Sequence, residues 1–447
     1  MKSADALSGG VVLNPVKVGI CGLGTVGSGT YNVLTRNRDV ISARAGCRIE
    51  IAQIGARRDN PNCPVSGIPV TRDIFEVADN PDVQIVAELI GGTTTARELV
   101  LRAIDNGKHV VTANKALIAQ HGNEIFAAAQ ARGVSVAFEA AVAGGIPVIK
   151  AIREGLAANR IEWLAGIING TSNFILSEMR DKGRSFADVL AEAQALGYAE
   201  ADPTFDVEGI DAGHKLMILA SIAFGIPLQF NSMYTEGITR ITPVDVQFAE
   251  QLGYRIKLLG IARRVDKGIE LRVHPTLIPE KRLIANVNGV MNAVLVKGDA
   301  VGPTLYYGAG AGSEATASSV IADIIDVART LNADPSHRVP YLAFQSNALD
   351  STPVLSIDQV VSAYYLRISA LDRPGVLSRV AQILSDAGIS IEALIQKEPM
   401  EGQDHVPVII LTNRTEERRL MGAVGQIEAL DSIDGDVVRI RVESLAG

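Results

Sequence analysis

Asp211 and Lys215 stand four residues apart at the head of an apolar run, Leu216-Met217-Ile218-Leu219-Ala220. On a helix that spacing puts carboxylate and ammonium on one face. Burial lowers a lysine's pKa while a nearby carboxylate raises it, and the balance suits a general acid. Just ahead lies Gly197-Tyr198-Ala199-Glu200-Ala201-Asp202-Pro203, continuing through Asp206 and Glu208. Those carboxylates suit a substrate that carries an ammonium group. An exposed i,i+4 ion pair, worth a few tenths of a kcal/mol, explains the same lysine spacing without chemistry.

A second constellation is Gly22-Leu23-Gly24-Thr25-Val26-Gly27, which has GxGxxG spacing directly after the apolar stretch Val16-Lys17-Val18-Gly19-Ile20. Gly22 permits a tight turn, Gly24 lets a pyrophosphate approach the backbone, and Gly27 lets the following helix pack on the sheet. The helix N-terminus then receives the anion. Strand, loop and helix in this order favour dinucleotide binding over a merely structural turn. The second strand ends at Gly55-Ala56-Arg57-Arg58, where an NAD site usually has an acid. Arg57 suits the 2′-phosphate of NADP, and an ordinary solvated basic turn explains it equally well. Lys115, in Thr112-Ala113-Asn114-Lys115, follows another strand and can reach a nicotinamide or a substrate carboxylate; alone it also reads as a solvated helix-start lysine.

The elements that must position these groups follow from hydrophobic periodicity. Strands are expected at 16–20, 49–54, 83–90, 108–112 and 134–138, with helical stretches between them such as 118–132. That alternation predicts a Rossmann-type doubly wound parallel sheet over 15–145. From 146 to 332 the pattern is less regular: strands at 160–168, 269–273 and 293–296, helices at 187–196, 211–224 and 314–331. An α+β substrate domain fits it. Residues 333–361, with Pro335, Pro340 and Pro353, read as a linker. Beyond them, 362–445 reads βαββαβ, with helices near 376–384 and 416–429.

Composition bounds the function. A chain of 447 residues with 47% hydrophobic and 21% charged residues can bury more than one core. Its formal charge of −8 argues against a nucleic-acid partner. No apolar run is long enough to span a membrane, and the first residues lack a signal peptide's apolar stretch. Residues 1–14 read as a short disordered leader. Cys21, Cys47 and Cys63 lack CxxC spacing and histidine companions, so neither disulfides nor zinc is indicated. A reduced, cytoplasmic setting is expected.

Taken together, these segments resemble homoserine dehydrogenase over essentially the whole chain. The resemblance rests on GLGTVG at 22–27, ELIGG at 88–92, TANK at 112–115 and Ala143-Gly144-Gly145-Ile146-Pro147. It continues through Asn169-Gly170-Thr171-Ser172-Asn173, GYAEADP from Gly197, the Asp211–Lys215 pair and Gly308-Ala309-Gly310-Ala311-Gly312. The glycine fingerprint is generic; NGTSN, GYAEADP and the Asp/Lys pair in this order are specific. The resemblance implies reversible NAD(P)H-dependent reduction of L-aspartate 4-semialdehyde to L-homoserine, on the way to threonine, methionine and isoleucine. It makes Lys215 the proton donor, held by Asp211, with Lys115 beside cofactor and substrate. Glu200 and Asp206 would bind the substrate ammonium and Thr171 would shape the pocket. Gly22, Gly24, Thr25, Val26, Gly27, Arg57, Gly310 and Gly312 would line the cofactor, NADP in preference to NAD.

The family also implies a structural monovalent cation such as sodium, held at Glu139, Val142, Gly144 and Ile146, mostly by carbonyl oxygens. Oxygen-only ligation suits a hard cation, although a plain glycine turn explains the same residues. The βαββαβ unit resembles an ACT domain, with Asp372-Arg373-Pro374-Gly375-Val376 opening its first helix. It implies threonine as effector and a homodimer or homotetramer; a purely structural dimerisation module is the alternative. A chain ending near Asn332 is then expected to stay active and lose its response to threonine. No aspartate-kinase segment is recognised ahead of Val16, so a monofunctional enzyme is expected. Among rivals, a phosphorylating semialdehyde dehydrogenase needs a catalytic-domain cysteine, and none follows Cys63. A related dehydrogenase with another amino-acid-like substrate shares the layout. A non-catalytic sensor of NADP and an amino acid would not require Lys215, Asp211 and Glu200 together.

Overall fold

The computed structural model describes residues 14–397 and 404–445. Apart from Asn14, the leader expected at 1–14 lies outside the described residues. The chain packs as two compact units, Met1–Gly155 with Ala309–Leu349, and Leu156–Gly308 with Asp350–Gly447.

In the first unit, six parallel strands run in the spatial order Val70–Thr71, Ile49–Gly55, Val16–Cys21, Ile85–Glu88, His109–Thr112, Val136–Ala137. Their central residues, including Val18, Ile20, Ile85 and Val86, are fully buried, as a sheet covered on both faces requires. The strand order reverses between Val16–Cys21 and Ile85–Glu88, and such switch points open a crevice at the carboxyl ends. Helix Ser313–Thr330 belongs to this unit, although the sequence reading groups it with the substrate domain. Its stripe of Val320, Ile321, Ile324 and Val327 joins the core cluster of Val18, Ile20 and Ile85. Residues 333–349 are not a free tether. The Arg338 guanidinium donates to Gly133 O at 2.7 Å, Tyr341 OH donates to Val134 O at 2.6 Å, and the Tyr341 ring stacks on Phe126.

The second unit is built on one 11-stranded mixed sheet. Its spine is the long antiparallel hairpin Tyr254–Val265 and Gly268–Pro279. Sequence periodicity finds only 269–273 of this hairpin. Lys257, Arg263 and Arg264 break the apolar alternation of the first strand, and each is satisfied by a tertiary partner instead. The helix Gly170–Lys182 also escapes the sequence reading, because polar Thr171, Ser172, Asn173 and Ser177 occupy its buried face.

The C-terminal βαββαβ unit forms as expected from Val361–Leu371, Val376–Asp386, Ile391–Gln396, His405–Thr412, Glu417–Glu428 and Val438–Val442. It is not set apart by its own sheet. Val438–Val442 pairs in parallel with Gly268–Pro279 at Arg441/Thr276 and Val442/Leu277, so the sheet runs through. Buried charges stitch the seam. Arg272, 0% exposed, donates to Glu443 at 2.5 Å and to Glu270 at 3.1 Å. Arg367 donates to the buried carboxylate of Asp245, which also accepts from Tyr365 OH. Burial, with Arg441 and Arg272 close by, keeps the enclosed His274 neutral by pushing its pKa well down.

This seam revises the expectation for a shortened chain. Ending the protein near Asn332 removes Glu443 from Arg272 and Arg367 from Asp245. Breaking one buried pair typically costs about 3–5 kcal/mol. The shortened chain should therefore aggregate or melt far below the full protein. Circular dichroism melts and size-exclusion profiles of both forms check this, and matching melts would show the module to be dispensable to the core.

Candidate active site

The first unit places the glycine loop at its switch point. Gly22 leaves the strand with φ +107°, and its N–H donates to Gly55 O at 2.8 Å. A Cβ on Gly27 would stand 1.9 Å from Gly22 O, so only glycine lets helix Thr25–Arg36 start this close to the strand. Gly24, in contrast, faces open space on its Cβ side, the opening a pyrophosphate needs. The chain returns to this loop at 310–313: Ser313 Oγ donates to Thr25 O at 2.7 Å, and Gly312 adopts φ +127° beside it. The 312–313 turn is thus fastened to Thr25. Arg57 and Arg58 are exposed just past the end of the second strand.

Glu88, which sequence reasoning quotes but does not single out, organises the other wall of the crevice. Its buried carboxylate accepts from Thr112 Oγ1 at 2.5 Å and from the N–H groups of Ile90 and Gly91 at 3.0 and 3.2 Å. Burial pushes its pKa up, and those hydrogen bonds oppose the rise. Asn114 caps helix Lys115–Arg132 through Leu117 N and donates to Gly92 O. Lys115 is therefore the first residue of a helix fastened to the 88–92 turn.

At the expected cation turn, Ala143 and Gly144 take positive φ and Gly144 lies against Gly310 O. Its own oxygen accepts from Ser319 Oγ at 2.7 Å. Glu139 directs both carboxylate oxygens at the N–H groups of Ile149 and Lys150, 2.9 and 2.8 Å away. Burial and then the Asp323 charge push its pKa up to about 7.

In the second unit the helix Ile210–Phe224 is buried along nearly its whole length. Lys215 is 9% exposed, so the exposed ion-pair alternative does not hold. Lys215 Nζ donates to Asp211 Oδ2 at 2.6 Å and to Ile168 O at 2.8 Å. Asn169, missed as a site residue, is the hub. Its Nδ2 donates to Asp211 Oδ2 at 2.8 Å and to Asp206 Oδ1 at 2.7 Å, while its Oδ1 caps helix Gly170–Lys182 through Ser172 N. An asparagine between an apolar strand and a helix was the available signal.

Thr171 Oγ1 donates to Tyr198 O at 2.6 Å, which ties the 198–203 turn to the same helix. Glu200 is exposed on that turn, apart from the hydrogen-bonded cluster of Asn169, Asp206, Asp211 and Lys215. On strand Tyr254–Val265, buried Lys257 donates to Asn173 Oδ1 at 3.1 Å and to Val287 O at 2.6 Å. Burial, then the Arg180 and Arg255 charges, lower its pKa to about 7. Among the described residues no group of three or more His, Cys, Asp or Glu side chains could hold a metal.

A doubly wound dinucleotide fold in the same chain as a buried lysine–carboxylate centre defines an NAD(P)-dependent dehydrogenase. Residues 22–139 match the family described as "Homoserine dehydrogenase, NAD binding domain", residues 147–325 match "Homoserine dehydrogenase", and residues 364–429 match "ACT domain". The homoserine dehydrogenase of Pseudomonas aeruginosa is 69% identical over 433 residues, covering 97% of this chain and 100% of its own. The crystal structure of a homoserine dehydrogenase from Thiobacillus denitrificans superposes with TM-score 0.93 at 64% identity, covering 97% of this chain and 99% of that one. A hyperthermophilic archaeal homoserine dehydrogenase in complex with NADPH matches at TM-score 0.60 and 25% identity, covering 71% of this chain and 98% of that one. The chain belongs to the homoserine dehydrogenase family, oxidoreductases that act on a CH–OH group with NAD(P). No helix among the described residues is long and apolar enough to cross a membrane.

Proposed function

We propose that this enzyme reduces L-aspartate 4-semialdehyde to L-homoserine, with Lys215 as proton donor, in the branch toward threonine, methionine and isoleucine. The observation that carries the reading is Lys215 Nζ, buried and held by Asp211 Oδ2 at 2.6 Å and Ile168 O at 2.8 Å. A lysine ammonium carries three donors, so one side chain can serve an orienting carboxylate and a substrate oxygen together. When bound, the nicotinamide supplies hydride to the aldehyde carbon. Lys215 passes its proton to the oxygen that becomes the alcohol, and Asp211 steadies the lysine in both protonation states. Asp206 and Glu200 are assigned to the substrate ammonium, Thr171 to the pocket wall, and Lys115 to cofactor and substrate. Lys215→Met should lower turnover by about two decades, the usual scale for losing a general acid, while NADPH binding persists. Loss of absorbance at 340 nm with aspartate semialdehyde checks this; near-normal turnover would remove Lys215 from the mechanism.

NADP is the favoured cofactor in this reading. The second strand ends without an acid, Arg57 and Arg58 are exposed just past its end, and an archaeal relative was solved with NADPH. Arg57→Ala should raise the KM for NADPH more than that for NADH. Equal effects on the two would assign Arg57 to the solvated surface.

A monovalent cation at Glu139, Val142, Gly144 and Ile146 completes the proposal. The donors are all oxygen, but Glu139, Gly144 and Ile146 already accept protein hydrogen bonds. Spare carbonyl lone pairs fit a weakly held ion of structural role. Replacing sodium by choline at fixed ionic strength should then lower the melting temperature, and no change would remove the ion. The reading also makes the enzyme a cytoplasmic homodimer or homotetramer, whose mass light scattering gives.

Threonine is the proposed effector. The C-terminal module carries a cavity of about 300 Å³ lined by Leu371, Asp372, Gly375, Val376 and Gln396. Gly375, at φ +94°, opens helix Val376–Asp386, whose first-turn N–H groups suit a carboxylate. Asp372, fastened by Gln396 at 3.0 Å, suits the ammonium. Threonine should inhibit the full-length enzyme, and Asp372→Ala should raise the concentration needed about tenfold, as losing one charged contact does. Equal sensitivity in the two would rule the cavity out as the sensor.

A further inference from the structure

The helix that presents Asp211 and Lys215 has another face, and a short strap fills it. A Cβ on Gly213 would stand 2.4 Å from Met233 Cε and 3.4 Å from Thr235 Cγ2. One on Gly209, the residue that starts the helix, would meet Val273 Cγ1 at 3.1 Å and Glu236 O at 3.5 Å. The strap itself is pinned along its length. Tyr234–Thr235 pairs in parallel with Arg272 and Val273. Glu236 N–H donates to Val273 O at 2.8 Å, and Ile238 N–H donates to Val207 O at 2.9 Å. A Cβ on Gly237 would lie 2.4 Å from Val207 O, so strap and helix entry have no slack between them.

The side chain that anchors the strap reaches the C-terminal strand. Glu236 Oε2 accepts from Tyr234 OH at 2.7 Å and from Arg441 Nη1 at 2.8 Å. Arg441 is 1% exposed, lies over the Tyr234 ring at 5.0 Å, and holds Glu417 through Nε and Nη2. Burial works against the charge on Glu236, and the Arg441 guanidinium outweighs it, holding the carboxyl below its usual pKa. A charge-assisted bond in a water-excluded site is stiff and directional.

We propose that Arg441 and Glu236 are positioning residues for the reaction: their ion pair clamps the 234–238 strap against the glycine face of the Ile210–Phe224 helix and so fixes where Asp211 and Lys215 stand. Neither residue touches the substrate. The clamp makes the Val438–Val442 strand an input to the proton donor, whatever ligand the C-terminal module takes. The inference rests on Lys215 as proton donor, so Lys215→Met is measured beside it.

The test uses full-length variants, reading kcat, both KM values and the melting temperature. Glu236→Ala should lower kcat about tenfold, the scale of a small misplacement of a reacting group, with the KM for NADPH unchanged. Glu236→Gln, which still offers an oxygen to Arg441 and Tyr234, should restore most of the loss. Arg441→Met combined with Glu236→Ala should cost no more turnover than the worse single change, because residues acting in series are not additive. If losing these charges prevents folding, Tyr234→Phe removes only a hydroxyl and should still lower kcat measurably. An unchanged kcat in a less stable Glu236→Ala enzyme overturns the proposal, as does an additive double variant, or normal turnover in Tyr234→Phe where that variant has to stand in. Near-normal turnover in Lys215→Met sinks the proton-donor reading instead.

Discussion

A charge moved out of water has to be met by another group, and the second unit is arranged around that constraint. Lys215, Arg272, Arg441 and Asp245 are all buried, and each is met by a partner from elsewhere in the sequence or from the next helical turn. Such pairs seldom add net stability over apolar packing of the same volume. They do penalise alternatives heavily, because a shifted strand leaves a buried charge alone. The parallel pairing between Val438–Val442 and Gly268–Pro279 spans two register pairs, and Glu443 and Arg441 set its alignment more firmly than those backbone bonds.

The same constraint shapes the candidate active site. Asn169 can hold two carboxylates because it offers two N–H groups from one nitrogen while its oxygen caps a helix. That leaves Asp211 accepting from both Asn169 and Lys215, so its charge is spent on orientation rather than on solvent. Buried Lys257 is met by carbonyl and amide oxygens instead of a carboxylate. In the first unit, Glu88 plays the organising part for the cofactor crevice, holding the 90–91 amides and Thr112 at once.

Much of this architecture is legible in the amino-acid order. Alternating apolar strands and helices specify the parallel sheet, GxGxxG after a strand specifies the dinucleotide loop, and βαββαβ periodicity specifies the C-terminal module. The Asp211–Lys215 spacing tells which groups share a helix face, whereas NGTSN and GYAEADP point to the candidate site only through the family resemblance. Three features were not legible there. The Tyr254–Val265 strand looks too charged to be buried until Asn173, Glu443 and Phe224 O are seen to satisfy its cations. The return of Ser313–Thr330 to the dinucleotide sheet depends on which apolar surface is left open, and periodicity is silent on that. The hub at Asn169 and the Arg441–Glu236 clamp join residues 37 to 205 positions apart. Sequence determines which residues can pair; only the folded chain decides which buried charges meet, because that depends on desolvation and distance, and neither is a property of local order.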